Sequence, residues 1–193
     1  MHNVTFTQAA EYIHSGSIGV LPTDTLYGLV GNALDKDVVE RVYATRGRDL
    51  DKPCIILIAH KEDVLQFGVE ISAEAQKAID VYWPGAVSIV FPCTNDTYSY
   101  LHRGKRSLAF RVPDPKHIEL VSFLQVCGPV VAPSANMQGN DPATTIEQAK
   151  EYFGSGVDFY VDQGECVGEP STVISLESGI VKVLREGAVK IQL

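Results

Sequence analysis

The most constraining feature of the sequence is an unbroken apolar run at residues 54–59, which reads CIILIA. A run of this length and composition is typical of a central strand that is covered on both faces of a sheet. Such a strand requires neighbouring strands beside it and other elements above and below it, so it predicts a layered fold. The chain has 193 residues, of which 45% are apolar, and we predict one domain spanning 1–193.

Helical and strand-like segments alternate along most of the chain. Apolar residues recur with helical spacing at residues 7–15, 37–46, 72–82, 115–126 and 145–153. Strand-like runs occur at residues 18–21, 54–59, 87–91, 108–112, 130–132, 159–161, 172–176 and 180–184. The turn Glu177-Ser178-Gly179 predicts a hairpin between the last two runs. This order predicts a mixed α/β (α+β) fold, in which helices flank a twisted sheet of parallel and antiparallel strands.

The N-terminal segment, MHNVTFTQAAEYIHSG, has neither the basic start nor the apolar core of a secretory signal. No apolar run approaches the roughly 20 residues that span a bilayer. We therefore expect a soluble, cytoplasmic protein without a membrane partner.

The cysteines and histidines are scattered. The isolated positions Cys54, Cys93, Cys127 and Cys166 favour apolar packing over a disulfide framework. None of the histidines has the spacing of metal ligands, so we predict no built-in metal site.

The formal net charge of −8 argues against non-specific binding of nucleic acid. Basic residues are nevertheless clustered in two predicted loops, with Arg46, Arg48 and Lys52 in the first and Arg103, Lys105, Arg106 and Arg111 in and beside the second. A local basic pocket in an acidic protein favours a small anionic ligand, although solvated loop charges are the alternative. Neither G-x-x-x-x-G-K-[ST] nor a post-strand G-x-G-x-x-G is present, so any bound phosphates must be held by side chains and strand-end backbone.

Short polar segments stand at the ends of the predicted elements, where ligands collect in such sheets. They read PTDTLYG at 22–28, RGRDLDKP at 46–53, PSAN at 133–136, EPST at 169–172 and REG at 185–187. Each segment taken singly is a weak signal. The alternative for 22–28 and 133–136 is an ordinary turn or turn cap, and the alternative for 46–53 is charge pairing with Asp49 and Asp51.

In combination and in this order, the segments resemble the YrdC-like family of threonylcarbamoyl-AMP synthases. The likeness runs from about residue 7 to residue 189, and it is carried by LPTDTLYGLVGNA, RGRDLDKP, WPGAVSIVF, LAFRVPD, VAPSANMQGNDPATT, GEPSTVISL and VLREGAV. The resemblance implies a YrdC-like fold of the short, single-domain type, because the chain ends soon after Arg185.

The resemblance also implies the reaction and its participants. L-Threonine, bicarbonate or CO2 and ATP would give threonylcarbamoyl-AMP and pyrophosphate, with Mg2+ carried on the triphosphate. Separate proteins would then transfer the threonylcarbamoyl group to an adenosine of tRNA. An alternative function, a double-stranded RNA or tRNA-binding module without catalysis, would use the basic loops as its binding surface. Direct contact with tRNA and the oligomeric state are left open.

The family's site residues carry over by motif. The implied threonine contacts are Thr23, Thr25, Tyr27, Arg111 and Ser171. The implied nucleotide contacts are Arg46, Arg48, Lys52, Ser107, Ser134, Asn136 and Arg185.

Arg46 stands where the family usually has lysine, and the two side chains are not interchangeable at a tight site. No covalent nucleophile or single acid–base residue is implied, because positioning and charge screening can carry this chemistry. The basis of selecting threonine over serine is left open. An apolar contact with the threonine methyl group, for which Leu57 and Ala132 are candidates, would give only about 10- to 200-fold discrimination.

Overall fold

The computed structural model describes residues 2–47, 49, 52–177 and 180–191. The α-helices within these ranges are α1 (Phe6–His14), α2 (Lys36–Arg46), α3 (Ala73–Tyr82), α4 (Ser99–His102), α5 (Ile118–Cys127) and α6 (Ile146–Phe153). Short 3-10 segments cover Lys61–Phe67, Asp96–Tyr98 and Gly154–Gly156. The strands are β1 (His2–Asn3), β2 (Gly19–Pro22), β3 (Tyr27–Asn32), β4 (Ile55–Leu57), β5 (Val87–Pro92), β6 (Ser107–Arg111), β7 (Val130–Val131), β8 (Phe159–Tyr160), β9 (Thr172–Glu177) and β10 (Ile180–Arg185).

Several helices begin at a hydroxyl side chain that caps the first turn. At α1, Thr5 Oγ1 accepts from the Gln8 N–H, and the Gln8 side chain accepts from the Thr5 N–H, which forms a capping box. Ser72 and Thr145 cap α3 and α6 through one hydrogen bond each, accepted from the N–H groups of Ala75 and Gln148. At its other end α2 stops at Gly47, whose left-handed φ of 60° ends the helix.

The described strands form one mixed sheet in the order β1-β8-β2-β3-β7-β4-β6-β5-β9-β10. Pairing is antiparallel within β2-β3-β7-β4, for β6-β5 and for β9-β10, and it is parallel for β1-β8, β8-β2, β4-β6 and β5-β9. The predicted mixed sheet flanked by helices is therefore confirmed, as is the antiparallel final pair. Ser178 and Gly179, the predicted turn residues of that pair, lie outside the described residues.

One face of the sheet carries the larger hydrophobic core. Alternate residues of the strands, among them Val20, Leu29, Ile56, Ile89 and Phe110, pack there with residues of α2, α3, α4 and α6. The register that pairs Ile89 with Phe110 places both side chains on this covered face.

The opposite face is divided. From β8 to β4 it is covered by α1 and α5, in a second core that includes Leu21, Leu57 and Val130. On β6, β5 and β9 the same face presents Ala109, Val90 and Val173 to a cavity instead. The division leaves this face of β6, β5 and β9 available for a site.

Most predicted elements are present, and one prediction is wrong. Tyr27 and Gly28 were expected in a strand-end turn, but they begin β3, which pairs with both β2 and β7. Arg46, the last residue of the predicted helix and the first of the predicted basic loop, is the last residue of α2. Boundaries also differ, for example at β4, which is only Ile55–Leu57, and at α5, which begins at Ile118.

The described cysteines are unbridged, and Cys54, Cys93 and Cys127 are buried as predicted, whereas Cys166 is half-buried. Within the described ranges, none of the helices has the length and apolarity that crossing a membrane requires.

Candidate functional site

A cavity of about 500 Å³ occupies the uncovered part of the sheet face. Its apolar floor is formed by Ile55, Val90, Ala109 and Val173 from four strands. Most of the predicted site residues surround this floor: Thr23, Thr25, Tyr27, Arg46, Ser107, Arg111, Ser134, Ser171 and Arg185. Segments far apart in the sequence are therefore brought together around one cavity, as the predicted site requires.

The turn between β2 and β3 fixes the two threonines at the cavity. Thr23 Oγ1 accepts from the N–H groups of Thr25 and Leu26, and it donates to the Leu26 carbonyl oxygen at 2.7 Å. The hydroxyl oxygens of Thr23 and Thr25 are 3.2 Å apart. Thr23 thus closes the turn with its own side chain, and Thr25 lies half-buried on the lining of the cavity.

Arg111 forms a buried ion pair with Asp24. The Nη2–Oδ1 distance is 2.8 Å, and the two side chains are only 5% and 1% exposed. The contact lacks the alignment of a hydrogen bond, and both Asp24 oxygens and Arg111 Nε have no hydrogen-bond partner among the described residues. Arg111 is therefore held by this ion pair and by a hydrogen bond from its Nη2 to Thr23 Oγ1 at 3.4 Å, and it keeps donor capacity for an anionic group in the cavity. The sequence did not single out Asp24, because an aspartate between threonines is also an ordinary turn residue.

Arg46 joins the end of α2 to the loop that follows β7. Its Nε donates to the Ser134 carbonyl oxygen at 2.9 Å, and its Nη2 donates to Ser134 Oγ at 3.0 Å and to Asn136 Oδ1 at 2.9 Å. Asn136 also accepts from Ser134 Oγ, and its amide nitrogen donates to the carbonyl oxygens of Met137 and Asn140. Asn136 does not line the cavity, so it acts in this arrangement by fixing Ser134.

A segment without regular structure at residues 162–170, here called the strap, runs past the turn between β2 and β3. Tyr27 OH donates to the Gly164 carbonyl oxygen at 2.8 Å, and burial raises the pKa of this phenol, which keeps it protonated. Gly168 lies so close to Thr25 that a Cβ built on it would be 2.4 Å from the Thr25 carbonyl oxygen. The strap therefore borders the predicted threonine contacts and depends on a glycine there.

Ser171 and Arg185 are bonded to each other at the far wall. Arg185 Nη2 donates to the Ser171 carbonyl oxygen at 2.6 Å and to its hydroxyl at 3.1 Å, and Nε donates to the same carbonyl oxygen at 3.2 Å. The Ser171 hydroxyl is also 2.9 Å from that of Ser88, a buried residue of β5. A predicted nucleotide contact thus directly positions a predicted threonine contact.

The second basic cluster also reaches the cavity, through Lys105 and Ser107. The segment leading to them is fixed by Arg103, whose guanidinium lies 4.1 Å from the centre of the Tyr43 ring and pairs with Glu40 at 3.0 Å. Lys105 was noted in the sequence for its charge but was not predicted as a site residue.

Lys52, a predicted nucleotide contact of the arginine loop, is not among the residues that line the cavity. It is exposed and pairs with Asp49 at 2.6 Å. Arg48, the other predicted contact of this loop, lies outside the described residues. In the described part of the chain, no group of three or more His, Cys, Asp or Glu side chains has the arrangement of a metal site.

Comparison with known proteins identifies the family. The sequence model of the Sua5/YciO/YrdC family, described as "Telomere recombination", matches residues 11–187. The chain belongs to the Sua5/YciO/YrdC family. The resemblance inferred from the motifs is thereby confirmed.

Named relatives within the Sua5/YciO/YrdC family match over nearly the whole chain. The threonylcarbamoyl-AMP synthase of Pyrococcus abyssi is 33% identical over 186 residues, which is 95% of this chain and 54% of the relative. The enzyme of the same name from Bacillus subtilis is 31% identical over 185 residues, which is 94% of this chain and 53% of the relative. This chain therefore spans about half the length of these curated relatives.

A solved structure of the family has the same fold. The crystal structure of P. abyssi Sua5 complexed with L-threonine has a TM-score of 0.87 and 33% identity, covering 94% of this chain and 54% of that one. The predicted YrdC-like fold is therefore confirmed.

Proposed function

We propose that this protein is a threonylcarbamoyl-AMP synthase, which condenses L-threonine, bicarbonate or CO2 and ATP and releases pyrophosphate. The observation that carries the proposal is the single cavity in which a buried guanidinium, several hydroxyls and further basic side chains converge. The names of the curated relatives and the threonine complex of a family member support the same reaction.

The amino-acid end of the cavity is the part around Arg111. Its guanidinium suits the threonine carboxylate, because a planar fork of N–H groups binds carboxylates through paired hydrogen bonds. Thr25 lies beside it on the turn that Thr23 closes, and Tyr27 shapes the same wall. Ala132 lines the cavity and remains a candidate contact for the threonine methyl group. Leu57 is packed in the core beneath α1 and α5 and does not line the cavity.

The nucleotide end is the part lined by Ser134, Lys105, Ser107 and Arg185. Hydroxyls and cations of this kind bind phosphate oxygens without a glycine-rich loop. We propose that Mg2+ accompanies the triphosphate and is held mainly by the nucleotide, since Mg2+ binds readily through substrate phosphates.

The chemistry requires positioning more than a reactive side chain. Threonine's amine and CO2 form a carbamate, whose oxygen attacks the α-phosphorus of ATP while pyrophosphate leaves. Arg111 fixes the amino acid, the basic residues offset the charge that develops on the phosphates, and the apolar floor limits access of water. No covalent intermediate with the protein is needed.

The RNA-binding alternative has less support. Arg46 and Arg111 are only 6% and 4% exposed, so these cations face the cavity and its neighbouring loop instead of an outer surface. A duplex-binding protein needs exposed basic residues that reach the phosphates across a groove. A net charge of −8 also opposes binding of a polyanion.

The proposed function extends to the place of the reaction in the cell. We propose that the domain 1–193 acts in the cytoplasm, and that its product passes to separate proteins that modify tRNA. Whether tRNA itself binds is testable by a gel shift at low salt.

The decisive experiment is pyrophosphate release from ATP by the purified protein, with threonine and bicarbonate added singly and together. We expect release only when both are present. Release that is absent, or that is unaffected by threonine, would show that the proposed reaction is wrong. Ser134→Ala is expected to raise the KM for ATP, and Arg111→Lys to raise the KM for threonine.

A further inference from the structure

Ser88 and Ser171 form a hydroxyl pair beneath the cavity. Ser88 lies on β5, two residues before the cavity-lining Val90, and Ser171 directly precedes β9. Their Oγ atoms are 2.9 Å apart, and the two residues are 0% and 1% exposed. Nothing in the sequence motifs assigns a role to Ser88.

The available donors and acceptors decide which hydroxyl of this pair donates the hydrogen bond. A serine hydroxyl has one proton to donate and two lone pairs to accept with. Ser171 Oγ accepts from Arg185 Nη2 at 3.1 Å, because a guanidinium can only donate. Among the described residues, the contact with Ser171 is the only side-chain hydrogen bond of Ser88. If Ser171 donated to Ser88, the Ser88 proton would be buried without an acceptor, which is costly. The opposite assignment frees the Ser171 proton, but Ser171 lines the cavity and can meet an acceptor there, whereas Ser88 does not line it. Ser88 is therefore the donor.

Because Ser88 is the donor, Ser171 can donate a hydrogen bond of its own to a ligand. Its two lone pairs are occupied by Ser88 and Arg185, so its own proton remains for an acceptor in the cavity. Threonine has two oxygen-bearing groups, and its carboxylate matches the guanidinium of Arg111. The hydroxyl oxygen of the threonine side chain is then the acceptor left for Ser171.

We infer that Ser88 is a positioning residue for recognition of the substrate's side-chain hydroxyl. It acts by donating to Ser171 and so turning the Ser171 proton toward the cavity. The inference rests on the proposed function, because it takes threonine as the ligand.

Ser88→Ala tests the inference, with Ser175→Ala as the matched control. Ser175 is a buried serine on the neighbouring strand β9, and its hydroxyl has no hydrogen-bond partner among the described residues. The readouts are KM and kcat for threonine and for serine, and the inhibition constant of L-2-aminobutyrate, which keeps the carboxylate and methyl group but lacks the hydroxyl. In Ser88→Ala we expect KM for threonine and serine to rise about tenfold, as loss of one oriented hydrogen bond predicts. The inhibition constant of 2-aminobutyrate should not change.

The possible outcomes separate this inference from the proposed function. Threonine-dependent activity of the unaltered protein establishes the reaction first, and its absence overturns both. With that activity present, an equal loss of affinity for threonine and 2-aminobutyrate would indicate a general structural defect and overturn the role of Ser88. Equal behaviour of Ser88→Ala and Ser175→Ala would also overturn it. Thermal denaturation of both variants shows that they are folded at the assay temperature.

Discussion

Arg46 and Ser134, 88 residues apart in the sequence, are joined by two hydrogen bonds of 2.9 and 3.0 Å from one guanidinium. Arg46 also bonds Asn136, so a single side chain fixes the whole polar loop that follows β7. This arrangement gives a structural reason for arginine at a position where the resemblance implied lysine. An ammonium group has no planar fork and cannot reproduce the three contacts with the same geometry.

Arg46→Lys should therefore weaken the loop although it keeps the charge. We expect the free energy of unfolding to fall by about 2 kcal/mol, since more than one charge-assisted hydrogen bond is lost. The KM for ATP should rise more than the KM for threonine, because Ser134 is a predicted nucleotide contact. Urea denaturation and pyrophosphate-release kinetics measure the two effects. Arg46→Met, which also removes the charge, should lower the free energy of unfolding and raise the KM for ATP further than Arg46→Lys does. Equal values for the two variants would contradict a role for the charge.

Asp24→Asn should be strongly destabilising, because it leaves the buried Arg111 without its charged partner. Loss of one member of a buried ion pair costs about 3 kcal/mol in comparable cases. The double variant Asp24→Asn/Arg111→Met removes both charges, and it should recover part of the stability lost in the single variant. Chemical denaturation of the unaltered protein, the two single variants and the double variant measures the free energies of unfolding for this double-mutant cycle. Strict additivity would show that the 2.8 Å contact contributes no coupling.

Gly168→Ala should disturb the strap where it passes Thr25. The added Cβ would be 2.4 Å from the Thr25 carbonyl oxygen, so either the strap or the turn must move. We expect the KM for threonine to rise about fivefold or more, since displacement of a substrate-positioning group weakens binding. The control is Gly156→Ala, because a Cβ there meets its nearest neighbour, Thr45 Cγ2, at 3.6 Å. An unchanged KM in Gly168→Ala would show that the strap does not support the predicted threonine contacts.

Asp158→Asn should give a pH-dependent loss of stability. Burial opposes ionisation of Asp158, but hydrogen bonds from Arg41 at 2.6 and 2.9 Å and from the Ile18 N–H outweigh it, so the pKa of the carboxyl is lowered. A lowered pKa in the folded state stabilises the protein above the unfolded-state value of about 4, and this stabilisation is lost as the pH falls through the folded-state value. The partly exposed pair should contribute about 1 kcal/mol at pH 7.

The corresponding measurement is urea denaturation of the unaltered protein and Asp158→Asn at several pH values. The difference in free energy of unfolding should shrink as the pH falls below about 4. Asp80→Asn is the control, since Asp80 is exposed, lies 3.4 Å from its charged partner Lys61 and otherwise accepts from the neutral amide of Gln76. A difference that stays constant with pH would mean that the Arg41–Asp158 charge interaction is not its source.

The sequence predicted elements whose signals are local. The helix that begins after Ser72 could be predicted because the capping hydroxyl and the apolar spacing lie within one short segment. β3 was missed because Gly28 and Gly31 resemble turn residues. Gly31 is required there for packing, since a Cβ on it would lie 2.6 Å from Val38 of α2.

The candidate site was predicted only as far as motifs identify it. Thr25 and Ser134 belong to recognisable segments, and the structure places both on one cavity. Asp24 and Ser88 were missed because their partners, Arg111 and Ser171, lie far away in the sequence. A long-range contact of this kind leaves no local pattern, so only the folded chain reveals it.

The divided sheet face has a consequence for misfolded forms of the chain. On β6, Phe110 faces the larger core and Arg111 faces the cavity side, with the register fixed by the pairing of Ile89 with Phe110. A slip of one residue would exchange the two faces, exposing the phenylalanine and burying the arginine in hydrocarbon. Mispaired chains would therefore lose their core and their site together. A stable but inactive misfolded form is disfavoured by the same alternation that builds the cavity.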